Sequence, residues 1–117
     1  MEENIIKDKT KNFSIRIIRL YQFLTIKAEC KEYVMSKQVL RCGTSIGANV
    51  KEALHGQSKA DFRAKMNIAL KEASETEYWL ELLHETDYIS QESFDSIIND
   101  NIEIIKILTK IVKNSSE

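Results

Sequence analysis

The stretch RCGTSIGANVKEALHG, Arg41 to Gly56, holds all three glycines of a 117-residue chain that contains no proline. A sequence that avoids helix breakers yet gathers its glycines in one segment needs a physical reason. A phosphate-cradling loop, a bend, or a seam where two backbones touch would each supply one. The loop fails first, because GTSIGA lacks the G-x-x-x-x-G-K-[ST] spacing and no strand precedes it. Gly43 and Gly47 stand four apart and so share one helix face, where absent side chains let a second backbone approach. Two glycines inside a helix cost about 0.5–1 kcal/mol each relative to alanine. Close contact must offset that, and a bend is the alternative. The seam is the preferred reading.

Around the glycines the segment carries two apolar stripes at helical spacing. One is Met35, Val39, Cys42, Ile46, Asn49 and Ala53; its neighbour is Leu40, Gly43, Gly47, Val50 and Leu54. A bundle helix is expected to bury one face. The second, small-residue stripe is therefore expected to meet something outside the bundle. Leu40, Gly43, Gly47, Val50 and Leu54, with Trp79 from the next segment, form the expected oligomer seam.

The rest of the chain reads as helix in the same rhythm. Phe13, Ile17, Leu20 and Leu24 step by fours and threes. So do Phe62, Met66, Ala69, Ala73, Thr76, Leu80 and Leu83, and then Phe94, Ile97, Asn101, Ile104, Leu108 and Ile111. Stripes of this kind pack helices at about 20°. The punctuation is short: KAECKEY without glycine or proline, HGQSKADF with Ser58 as N-cap and Gly56 suited to a helix end, and TDYISQES with Ser90 as N-cap. Connections of a few residues force consecutive helices antiparallel. The expected fold is all-α, an antiparallel up-down-up-down four-helix bundle of about 80% helix. It forms one domain over residues 1–117, with short frayed termini that include the KNSSE tail.

Here the sequence resembles a known family. SKQVLRCGTSIGANVKEA followed by SKADFRAKMNIALKEASETEYWLELL resembles the 23S rRNA intervening-sequence proteins, also called four helix bundle proteins. The ordered pair R-x-G-T-S-I-G-A-N and A-L-K-E-A-x-E-T-x-Y-W-L carries the likeness, which runs from about Phe13 to Leu83 and continues in pattern through the last helix. Relatives usually have serine or alanine where Cys42 stands, and many have proline at the position of Gly47, which keeps the bend alternative open. The resemblance implies an antiparallel bundle assembled as a ring-like homopentamer, with no catalytic residues. Some members are encoded within insertions in large-subunit rRNA genes. More distant, similar bundles are accessory proteins of diversity-generating retroelements, which bind nucleic acid and a reverse transcriptase.

Charge adds a second thread. The net charge is −1, but residues 1–65 are basic and residues 66–117 acidic. Either the first half meets an acidic partner, or the two halves complement each other inside one bundle; the latter is the plainer reading. Lys37, Arg41 and Lys51 fall on one side of the second segment, and Arg16 and Arg19 lie on the first. A ring would repeat these five cations around its circumference, so they are the expected contacts for RNA or DNA, although no recognised nucleic-acid motif accompanies them.

Catalytic and metal sites are not expected. Glu52-x-x-His55 and Glu81-x-x-His84 match a di-iron ligand motif, but His84 lies about 26 residues beyond the turn at Gly56, roughly 40 Å along a helix. Cys42 sits on a core stripe without a base to activate it. Glu72, Glu75, Glu77, Glu81 and Glu85 read as a solvated or ion-paired face. No apolar run is long enough to span a membrane, no leader is evident, and Cys30 and Cys42 lack redox or metal spacing. The expectation is a cytoplasmic, non-enzymatic protein with no cofactor and no small-molecule substrate. Its partners would be itself and RNA or DNA. The competing expectation is a protein-interaction accessory module for a neighbouring enzyme, without nucleic-acid affinity.

Overall fold

The computed structural model describes residues 2–29 and 31–115. Four antiparallel helices follow one another: α1, Glu2–Gln22; α2, Met35–Leu54; α3, Lys59–Glu85; and α4, Gln91–Asn114. Of the described residues 86% are helical. Its longest dimension is 49 Å, with 21 and 19 Å across, as expected for helices of this length lying side by side. Each helix packs on its neighbours in a cycle, α1 on α2, α2 on α3, α3 on α4 and α4 on α1.

The core is built from the expected stripes. Phe13, Ile17, Leu24, Val39, Ile46, Met66, Ala69, Ala73, Leu80, Leu83, Ile104 and Leu108 are all buried. One part of the core was not expected. Helix α1 starts at Glu2, and Ile6 and Thr10 prolong its buried stripe in the steps 6, 10, 13, 17. The acidic-then-basic composition of MEENIIKDKTKN hides this turn of core, so the N-terminus is helical from Glu2 where fraying was expected. At the other end α4 runs to Asn114; Ser116 and Glu117 of the expected frayed tail lie outside the described residues, as does Cys30.

The two serine caps form as expected. Ser58 accepts from the Asp61 amide and Ser90 from the Ser93 amide, each at 3.1 Å. Gly56 follows α2 without a positive φ, so its place at the helix end does not depend on the left-handed conformation. The connection from α1 to α2, which no glycine or proline marks, is solved differently. The last turn of the first helix widens into a π-turn over Phe23–Lys27, closed by the Ala28 amide donating to the Phe23 carbonyl at 2.7 Å. Lys31 then takes a φ of 44°. Glu32, buried, accepts from the backbone amides of Val34, Met35 and Ser36 at 3.1, 2.8 and 2.8 Å. One carboxylate thereby satisfies three of the amides that an α-helix leaves unpaired at its start.

Midway along the bundle a small polar layer crosses the apolar core. The Thr76 hydroxyl lies 3.2 Å from the Cys42 sulfur, and Asn101 donates to the Ala73 carbonyl at 3.1 Å. All three side chains are fully buried.

Candidate interaction surfaces

The glycines close the first pair of helices. A Cβ added to Gly43 would stand 2.8 Å from Ile17 Cγ1, and one added to Gly47 would stand 3.2 Å from the Thr10 carbonyl oxygen and from Ser14 Oγ. Both distances are tighter than ordinary carbon contacts. Helices α1 and α2 therefore approach more closely than side chains would allow. The small-residue stripe has a partner within the same chain, namely α1. The premise that a bundle helix buries one face was too simple, since each helix in a four-membered cycle is flanked by two others. In α2, Val50 is buried with Gly43, while Leu40, Gly47 and Leu54 are half-buried. Trp79 is half-buried on α3, donating its indole N–H to Glu75 at 3.0 Å and meeting Tyr78 edge-on at 5.5 Å.

The five cations singled out in the sequence do not converge. Arg16 turns to α4, where it pairs with Asp100 at 2.6 Å and donates to the Ser96 hydroxyl at 3.0 Å. Arg41 turns to α3 and pairs with Glu72 at 3.5 Å and with Glu75. Lys9 pairs with Glu103 at 2.8 Å, which holds its ammonium pKa above the usual lysine value. The basic first half and the acidic second half thus neutralise one another across the bundle at these places, as the plainer reading of the charge asymmetry expected. Arg19, Lys37 and Lys51 remain exposed.

A cationic feature that the sequence did not reveal appears instead between α1 and α2. A groove of about 480 Å³ is lined by Lys7, Thr10, Lys11, Ser14, Gly47, Ala48, Lys51 and His55. It holds three lysines, a histidine and no carboxylate. Lys7 and Lys11 are one turn apart on α1; Lys51 stands in the last turn of α2 and His55 immediately follows that helix. The signal was present as i, i+4 spacing, but only the antiparallel register of the two helices places the pairs opposite each other.

The surface also carries large apolar side chains. Phe23, Ile26, Tyr33 and Val34 surround the π-turn and the connection to α2, with Ile26 67% and Val34 74% exposed. Ile15 and Ile18 continue the exposed apolar surface along α1.

The motifs considered for chemistry lie apart. Glu52 pairs with Lys65 at 2.9 Å, and His84 stacks on Phe94 with ring centroids 4.3 Å apart. Among the described residues no three His, Cys, Asp or Glu side chains gather to hold a metal ion. Cys42 is buried and free, and burial pushes its thiol pKa up to about 11. Among the described residues no helix is long and apolar enough to cross a membrane.

The fold and signature match known proteins along nearly the whole chain. A crystal structure of a protein with unknown function from the S23 ribosomal protein family of Bacteroides thetaiotaomicron is similar at a TM-score of 0.93 and 58% sequence identity, covering 97% of this chain and 99% of that one. No curated protein matches. The family model for the 23S rRNA-intervening sequence protein matches residues 2–110. The chain belongs to the 23S rRNA-intervening sequence protein family.

Proposed function

We propose that the protein is a non-enzymatic, self-assembling bundle whose assembled surface binds nucleic acid. The observation that carries assembly is the exposed apolar surface around the π-turn. An isolated apolar side chain at a surface is ordinary, but a contiguous group of them marks a contact surface. Phe23, Ile26, Tyr33 and Val34 are all exposed around the connection from α1 to α2, and Ile15 and Ile18 are exposed on the helix that leads to it. A second copy of the chain is the occupant proposed, and the family resemblance supplies the expected count of five in a ring.

Nucleic acid is the partner that the uncompensated cations favour. Lys9, Arg16 and Arg41 are neutralised within the chain, while Lys7, Lys11, Arg19, Lys37 and Lys51 of the first two helices have no ion pair among the described residues. A ring multiplies that residual charge, and affinity for phosphate grows with the number of contacts.

Light scattering coupled to size exclusion tests the assembly. At micromolar concentration the protein is expected to run at several times its 13.5 kDa chain mass. Ile26→Glu with Val34→Glu is expected to bring it towards monomer with its helix content intact. A wild-type monomer would overturn the proposal.

A further inference from the structure

We propose that the groove between the N-terminal half of α1 and the C-terminal half of α2 is a binding site for the phosphodiester backbone of nucleic acid, with Lys7, Lys11 and Lys51 as its phosphate contacts. The proposal rests on the nucleic-acid reading above and assigns it a place.

Three observations converge there. The groove gathers Lys7, Lys11, Lys51 and His55 around a floor of Thr10, Ser14, Gly47 and Ala48, and no acidic side chain lines it. Several other cations of the bundle pair with its own carboxylates: Lys9 with Glu103, Arg16 with Asp100, Arg41 with Glu72 and Glu75, Lys65 with Glu52. Among the described residues Lys7, Lys11 and Lys51 have no ion pair. A concave surface lined by one sign of charge focuses the field on its mouth.

The glycines set the width of this groove. Because Gly47 has no side chain, α2 comes within touching distance of the Thr10 carbonyl. The lysine row of α1 and the Lys51–His55 row of α2 are thereby drawn towards a common trough. The members of each pair are four residues apart, about 6 Å along the helix axis, so the cations form two short parallel tracks along the groove.

The chemistry selects the ligand class. Ammonium groups contact phosphate as point charges, without the planar fork with which arginine reads a guanine edge. His55 is the one ring in the lining, and no phenylalanine, tyrosine or tryptophan offers a base a broad stacking platform there. Backbone contact without sequence preference is what this lining supports. The apolar surface proposed for assembly centres on Ile26, 19 positions along the chain from Lys7 and so about 28 Å away along the helix. The extension of that surface along α1 ends at Ile15, one turn from Lys11, so the assembly contact borders the groove and leaves the Lys7 and Lys51 end open.

The test uses the full chain and a fluorescein-labelled single-stranded RNA of arbitrary sequence, titrated at several salt concentrations. Lys7→Gln, Lys11→Gln and Lys51→Gln together are expected to weaken binding about tenfold or more at low salt. They should also flatten the slope of log affinity against log salt by about 2, at roughly 0.7 per lost contact. Arg19→Gln with Lys37→Gln, which removes two exposed cations outside the groove, should change the slope less. In unaltered protein, RNA should shield Lys7, Lys11 and Lys51 from amine acetylation, read by mass spectrometry, and leave Lys27 and Lys37 reactive. That readout holds whether or not the triple variant assembles. Binding with an unchanged slope and equal shielding of all lysines overturns the groove and leaves the nucleic-acid reading standing. Failure of the wild type to bind RNA or DNA at low salt overturns both.

Discussion

Gly43 of α2 faces Ile17 of α1 so closely that a single added carbon would lie 2.8 Å from Ile17 Cγ1 and 2.9 Å from Cγ2. Both atoms branch from the Ile17 Cβ, so they cannot swing clear as the tip of a long side chain would. Gly43→Ala gains about 1 kcal/mol in helix propensity, but overpacking a filled contact costs about 1–3 kcal/mol. The variant is expected to be destabilised by about 1 kcal/mol in urea titration. Ile17→Ala removes both Cγ atoms from the contact, and in the double variant the two changes should cost less than their sum. A Gly43→Ala protein more stable than wild type would show that α1 can slide away without loss. Gly43→Leu is expected to disrupt the bundle itself, since its partner lies in the same chain.

That contact shows how far the sequence was legible. The spacing of Gly43 and Gly47 identified a close approach, and Ile17 was already on the α1 stripe, yet nothing in one sequence says which face of α1 meets which face of α2. The stripes of α3 and α4 were legible because one apolar side chain per turn leaves little choice of inward face. Ile6 and Thr10 were missed because charged neighbours dilute their stripe. The lysine groove was missed for a different reason. Lys7 and Lys51 are 44 positions apart in the chain, and only the register of two antiparallel helices makes them neighbours. Arg16 and Arg41 looked available because their carboxylate partners also lie on other helices.

Glu32 caps α2 from a connection with no glycine or proline to direct it. Its carboxylate accepts from the amides of Val34, Met35 and Ser36, and Ser36 Oγ returns a hydrogen bond to the Glu32 carbonyl at 2.8 Å. Removing a helix cap typically costs about 0.5–2 kcal/mol. Glu32→Ala is expected to fall near the top of that range, because three amides, that of Ser36 fully buried, lose their partner together. Hydrogen exchange should locate the effect: the amides of residues 34–36 should exchange faster, while those of α3 keep their protection. Uniform acceleration along the chain would refute a local cap.

Cys42 is placed to be inert. Burial dominates the rise of its thiol pKa to about 11, against a smaller opposing effect of the Thr76 hydrogen bond. The thiolate is the reactive form, so at pH 8 iodoacetamide should label Cys42 only as fast as the bundle opens. In a Cys30→Ser background, labelling is expected to be slow in buffer and prompt in denaturing urea. Rapid stoichiometric labelling of the folded protein would contradict this burial.

Trp79, the chain's one tryptophan, offers an optical report on the α2–α3 ion pairs. Its indole N–H donates to Glu75, the largest influence holding that carboxyl below its ordinary value of 4.5; the Arg41 guanidinium acts in the same direction, and partial burial opposes both. Because the folded-state pKa is depressed, protonation is harder in the folded chain than in the unfolded one. The stabilisation is therefore complete above about pH 4.5 and is lost as pH falls through the lower folded value. Glu75 and Arg41 are both substantially solvent-exposed, so the energy involved is modest. The spectroscopic effect should still be clear, because protonation removes the charge beside the indole. Acid titration of Trp79 fluorescence is expected to show a transition centred below 4.5 in the still-folded protein, with helix content unchanged across it. Glu75→Gln should abolish that transition. A midpoint at or above 4.5, or one that persists in the variant, would detach Glu75 from the indole.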